Sequence, residues 1–159
     1  MTSKKWVIVV CMFLLIAAAM VNGRVGAVQT PTQAKPDQPK PPEIERITAE
    51  ELKAKLSKNE PVLIIDVRAT NAYIDSPNKI KGALHMKSRR LRMRLAMPPL
   101  KDVPRDREVV TYCACPSDEI SVRAAQVFLE AGFKRVRALK GGWQAWLKAG
   151  GQVESKPKV

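Results

Sequence analysis

From Glu43 onward the hydrophobic pattern switches repeatedly between two periods. Leu52 and Leu56 repeat at helical spacing behind Thr48 and Glu51, which stand three apart as in a capping box, so a short helix is predicted over Ala49–Ser57. After Pro61 comes VLIIDV, an apolar run of strand length suited to a sheet covered on both faces. Ala69 to Asp75 reads as a short helix and Gly82, Ala83 and Leu84 as a second buried strand. Ser88 is placed to cap a helix carrying Leu91, Leu95 and Met97, which Pro98 stops. Glu108–Tyr112 is a strand, Ser121–Ala131 a helix closed by Gly132, Val136–Leu139 a strand, and Gly142–Ala149 a helix closed by Gly150 and Gly151. This alternation predicts an α/β fold with a mostly parallel sheet and helices on both faces.

The pattern before Glu43 is different. Lys4 and Lys5 precede an apolar run of sixteen residues, Trp6 to Val21, short of the roughly 20 that span a bilayer comfortably. With Val25 and Ala27 spaced like an export cleavage site, residues 1–27 read as a secretory signal; an uncleaved membrane anchor is the alternative. Either way the rest of the chain is expected in an exported compartment, periplasmic or secreted. Cys11 is an apolar filler of that run. Residues 28–42 form a spacer, since Gln29–Pro42 holds five prolines in fourteen residues and no large apolar side chain. The folded domain is placed at 43–154, with 155–159 as a tail.

Charge adds a surface to this picture. The net charge is +13, and between Lys79 and Arg107 ten Lys or Arg face two Asp. Such a basic face suits an acidic protein partner or a membrane surface, while its other reading is the solvated side of an amphipathic helix. Nucleic acid is not expected for an exported chain.

The chemistry concentrates in YCACPSDEIS, Tyr112 to Ser121. Two cysteines follow a buried strand and precede a helix, and ligands in such sheets bind beyond the carboxyl ends of the strands. Asp66 to Arg68 lies at another such end. The stretches IIDVR (64–68), GALHM (82–86), VVTYC (109–113), SVRAAQVFLEAGF (121–133) and VRALKGGWQAW (136–146) resemble the rhodanese-like domain family in order and spacing. The resemblance implies a three-layer sandwich around a five-stranded, mostly parallel sheet. It also implies a sulfurtransferase in which a cysteine thiolate holds a sulfane sulfur as a persulfide between a small sulfur donor and a thiol or cyanide-like acceptor, with no cofactor and no metal.

Thiolate is the reactive form, and the loop would favour it through inward backbone N–H groups and the positive end of the following helix. His85 is the only histidine, so a Cys–His dyad has little to draw on. Read from the strand, Cys113 takes the family's nucleophile position; read back from the helix, Cys115 has the family's six-residue spacing to Ser121. Pro116 has no N–H to offer a cradle around Cys115, which favours Cys113 as nucleophile and Cys115 as partner thiol. The substrate loop is then Ala114, Cys115, Ser117, Asp118, Glu119, Ile120 and Ser121, supported by Asp66, Arg68 and Arg123. Carboxylates at Asp118 and Glu119, where active family loops often carry Arg or Lys, disfavour an anionic donor such as thiosulfate if they turn inward. Arg123 and the run Lys87, Arg89, Arg90, Arg92 and Arg94 would restore a positive approach. Phosphatase or arsenate chemistry wants an Arg six positions after the cysteine, where Glu119 and Ser121 stand instead.

Asp66 and Arg68 match a pair whose role in the family is mainly architectural. Tyr73 and Trp146 are read as core, Trp143 as lining or covering the cleft, and His85 as a hydrogen-bonded strand residue. Two further functions stay open. One is a dithiol redox protein using Cys113 and Cys115, a pair that could also hold a soft metal such as Cu(I). The other is a silent module binding through its basic face.

Overall fold

The computed structural model describes residues 43–156. The expected export segment, the spacer and the last three residues lie outside the described residues. Among those described, no helix is long and apolar enough to cross a membrane.

Seven strands and five α-helices follow in order: β1 (Glu45–Ile47), α1 (Ala49–Ser57), β2 (Val62–Asp66), α2 (Thr70–Asp75), β3 (Asn78–Ile80), β4 (Leu84–His85), α3 (Leu91–Leu95), β5 (Glu108–Tyr112), α4 (Glu119–Glu130), β6 (Val136–Leu139), α5 (Gly142–Lys148) and β7 (Val153–Ser155). Five strands form one sheet in the order β1-β6-β5-β2-β4, with every pairing parallel, while β3 and β7 make a small antiparallel pair. From β2 the chain moves outward to β4, and from β5 it moves the opposite way to β6. The carboxyl ends of β2 and β5 therefore flank the point where strand order reverses, which is where open α/β sheets form a crevice.

The continuous apolar runs have a direct explanation in the packing. Along β2, Leu63 and Ile65 face the layer of α3 and α4, where Leu91, Leu95, Ala124 and Phe128 bury them. Ile64 faces the opposite layer, with Leu52 of α1 and Trp143 and Trp146 of α5. A strand covered on both sides has no polar face to alternate with. Helix α1 begins as its spacing predicts: Thr48 Oγ1 accepts from the Glu51 N–H at 3.2 Å and Glu51 Oε2 accepts from the Thr48 N–H at 2.9 Å.

Four local expectations need correction. Ser88 does not cap a helix; Lys87 precedes a 3-10 turn over Ser88–Arg90 that leads into α3, and no side-chain cap is made. Met97 lies beyond α3 and is exposed, because the helix already ends at Leu95 and Ala96 closes it. The strand expected at Gly82–Leu84 is Leu84–His85 only, since Gly82 turns with φ +75°. Helix α4 starts at Glu119, two residues before Ser121, with Asp118 as its left-handed N-cap. Strands β1, β3 and β7 had no periodic signal, being three residues long each and set by pairing. β7 pairs Ser155 with Asn78 and carries the folded part past residue 154.

At the opposite end of the sheet Glu108 begins β5 almost fully buried, bonded to Arg137, to Lys55 at 3.0 Å and to Arg135 at 3.2 Å. Burial alone would raise its pKa, but the hydrogen bonds from Arg137 and Lys55 outweigh it and hold the carboxyl below the usual value of 4.5. A depressed carboxylate stabilises the fold above its unfolded pKa and loses that contribution as pH falls through the folded value. Glu108→Gln should therefore lower stability at pH 7 by about 1–2 kcal/mol, given partial solvent screening of its partners. In urea titrations the gap between variant and parent should shrink as pH drops below the usual glutamate range. A gap independent of pH would remove the electrostatic explanation.

Candidate active site

The crevice is framed by a buried ion pair. Arg68 donates from Nε to both carboxylate oxygens of Asp66 at 3.0 Å and from Nη2 to Oδ2 at 2.7 Å, and neither side chain has solvent contact. Tyr112, at the end of β5, donates its hydroxyl to Asp66 Oδ2 at 2.7 Å and accepts the Ile80 N–H at 3.3 Å. Burial and the Asp66 charge push the Tyr112 phenol well above its ordinary pKa, so it acts as a donor. The guanidinium lies over the rings of Trp143, Tyr73 and Tyr112, with the Trp143 centroid 4.5 Å away. Arg68 is thus paired, as expected, and buried fully where partial burial was expected. Trp146 is core, whereas Tyr73 is only half-buried and stacks on His85 at 3.7 Å. His85 Nε2 lies 3.3 Å from the Arg68 carbonyl, within β4.

The cysteines stand immediately beyond that frame. Cys113 follows β5 with 0% exposure, its carbonyl accepting the Trp143 N–H at 2.8 Å. Cys115 is half-buried, and its S–H donates to the Cys113 sulfur, the two sulfurs being 3.0 Å apart. Neither is in a disulfide. Ser121, fully buried, lies with its hydroxyl 3.8 Å from the Cys113 sulfur and donates to the Asp118 carbonyl at 2.7 Å.

The two loop carboxylates part ways. Asp118 turns inward at 5% exposure with φ +56°; Oδ2 accepts the Gly141 N–H at 3.0 Å and Oδ1 has no hydrogen-bond partner. Asp tolerates this left-handed conformation better than most residues. Glu119 stays exposed in the first turn of α4 and pairs with Arg123 at 3.6 Å. Ala114 is half-buried, Ser117 is exposed, and Ile120 borders a recess of about 240 Å³ together with residues 67–70 and 87–89. Lys87 and Arg89 bring positive charge to that recess, whereas Arg123 does not line it. Arg92 pairs with Glu130 at 2.6 Å.

The Cys115 thiol is pushed up to about 11 by burial, by its hydrogen bond to Cys113 and by the charge of a Cys113 thiolate, with the Ile120 N–H pulling the other way. Cys115 is therefore protonated at neutral pH. No group of three or more His, Cys, Asp or Glu among the described residues could hold a metal ion.

A family model described as the rhodanese-like domain matches residues 48–149, nearly all of the folded part. The chain belongs to the rhodanese-like domain family. It is 31% identical over 107 residues to a protein of Allochromatium vinosum named sulfurtransferase, an alignment covering 67% of this chain and 92% of that one. Among solved structures, the Alr3790 protein from Anabaena is 33% identical with a TM-score of 0.58, covering 69% of this chain and 82% of its own. A protein of unknown function from Rhodopseudomonas palustris, described as a possible tyrosine phosphatase, is 29% identical with a TM-score of 0.56 over 70% and 85%.

Within this rhodanese-like domain the site includes Trp143, read from sequence as lining or covering the cleft, together with the two glycines before it, which reasoning from sequence did not assign to the site. Gly141, Gly142 and Trp143 grip the cysteine loop through the Asp118 carboxylate and the Cys113 carbonyl. The paired glycines were the available signal. At Gly142, with φ +50°, an added Cβ would fall 2.2 Å from the Cys113 carbonyl oxygen.

Gly142→Ala should accordingly push the Cys113 carbonyl away and destabilise the domain by about 1–3 kcal/mol. A denaturation midpoint equal to that of the parent would contradict the close approach. Separately, Cys113→Ala removes two of the causes that raise the Cys115 pKa. Alkylation of Cys115 by iodoacetamide at pH 8 should then run faster than in the parent, its pH profile shifting toward lower pH; an unchanged profile would show that Cys113 does not hold the proton on Cys115.

Proposed function

We propose that the chain is a sulfurtransferase that carries a sulfane sulfur on Cys113 as a persulfide. The observation carrying this reading is the Cys115 S–H aimed at the Cys113 sulfur across 3.0 Å. A thiol donor of that kind lies in hydrogen-bond reach of any sulfur chemistry carried out at Cys113. The family and the sulfurtransferase from Allochromatium support the same chemistry.

In the reaction the Cys113 thiolate attacks the sulfane sulfur of a small donor. The donor's bond to that sulfur breaks, and its remainder leaves with the bonding electrons. A nucleophilic acceptor then takes the outer sulfur and returns the electron pair to Cys113, so the cycle is redox-neutral. Rotation of Cys115 opens the fully covered Cys113 to the donor. The inward Asp118 carboxylate disfavours small inorganic dianions, which points to an organic persulfide as donor in preference to thiosulfate. The basic residues Lys87 and Arg89 beside the recess bring the donor in.

Reduced chain treated with an organic persulfide and read by intact mass and peptide mapping tests this. Cys115→Ser should gain one sulfur atom, about 32 Da, on Cys113 and keep transfer to cyanide, whereas Cys113→Ser should lose transfer at least a hundredfold. Transfer that survives in Cys113→Ser and vanishes in Cys115→Ser would move the nucleophile to Cys115.

A further inference from the structure

The transfer reaction leaves one nucleophile idle. Cys115 is separated from Cys113 in sequence by Ala114 alone, its sulfur 3.0 Å from the carrier sulfur and more accessible than it. Both residues are held at their backbones: Trp143 N–H bonds the Cys113 carbonyl at 2.8 Å, and Asp118 N–H bonds the Cys115 carbonyl at 3.4 Å. The Cys115 sulfur is thus close to the inner sulfur of a persulfide built on Cys113. Closing to the roughly 2.05 Å of a disulfide needs a displacement of about 1 Å.

Resting on the reading of Cys113 as carrier, we infer that Cys115 is a resolving thiol, and that without an external acceptor the chain expels the carried sulfur as hydrosulfide by joining Cys113 to Cys115. Sγ of Cys115 attacks Sγ of Cys113. The bond between Cys113 and the outer sulfur breaks, and that sulfur leaves with the electron pair and the Cys115 proton as hydrosulfide. Two thiol sulfurs are oxidised by one electron each and the sulfane sulfur is reduced by two. A low-molecular-weight thiol then reopens the disulfide by exchange, becoming oxidised in turn. The full cycle is a thiol-driven reduction of sulfane sulfur to sulfide, an activity distinct from transfer to an acceptor.

Attack on the outer sulfur instead would only move the persulfide from Cys113 to Cys115. The 3.0 Å separation is measured to the inner sulfur, and it is this atom that Cys115 already touches. The buried setting of Cys113 favours the same outcome, because a charged outer sulfur loses solvation there and regains it on leaving as hydrosulfide.

The test is anaerobic. The full chain, reduced and freed of small thiols, is mixed with one equivalent of an organic persulfide, and its intact mass is followed beside an untreated sample and the Cys115→Ser variant. The parent should end about 2 Da lighter than the untreated chain, with peptide mapping joining Cys113 to Cys115 and one hydrosulfide released per chain. Cys115→Ser should stop at the adduct of about 32 Da and release none. A stable adduct on Cys113 of the parent, or one that migrates to Cys115 without hydrosulfide, overturns the inference and leaves the carrier reading standing. No adduct on Cys115→Ser and no mass loss in the parent removes the carrier reading itself, and the inference falls with it.

Discussion

A guanidinium and a carboxylate without solvent contact sit where four segments of the chain meet. Arg68 and Asp66 belong to the end of β2, yet their bonds reach the Asn78 carbonyl on β3 and the Tyr112 hydroxyl on β5, and the guanidinium packs on Trp143 of α5. Removing either charge would strand the other in a region of low dielectric, a loss of about 3–5 kcal/mol for buried pairs of this kind. The crevice between β2 and β5 is therefore stiff at its base. The loops above it start from fixed points.

The cysteine loop depends on that stiffness through backbone contacts from a distant turn. Trp143, carrying the ring on which Arg68 lies, also donates its N–H to the Cys113 carbonyl. Gly141, two residues earlier, donates to the Asp118 carboxylate. Both ends of the loop are thus held by residues 141–143, and the two sulfurs are left side by side. Burial first, and then the neighbouring Cys113 sulfur, hold the proton on Cys115. The difference in burial between these two chemically identical side chains follows from position alone.

The charge excess resolves into different duties once placed. Lys55, Arg135 and Arg137 surround the buried Glu108 at one end of the sheet. Arg92 and Arg123 pair with glutamates of α4 and leave the cleft to others. Lys87 and Arg89 alone of the basic run border the recess beside Ile120. A count of lysines and arginines over residues 79–107 could not have separated these roles, because each depends on where the nearest carboxylate folds.

What the amino-acid order determined by itself is the set of elements whose signals are local. The doubly covered runs of β2, β5 and β6, the capping box of α1 and the glycine stops specify the layers, and with the spacing of IIDVR and VVTYC they place the cysteines beyond the sheet. Short strands such as β1, β3 and β7 carry no such signal, since three residues show no period and exist as strands only through a partner. The start of α4, expected at Ser121, lies at Glu119, where Asp118 holds a left-handed turn and its carboxylate accepts the Gly141 N–H. Tertiary structure alone decided that Cys113 is covered and that the Cys115 thiol stands against its sulfur. That choice rests on a sulfur–sulfur distance and on a hydrogen bond from Trp143, contacts between residues up to thirty positions apart in the chain.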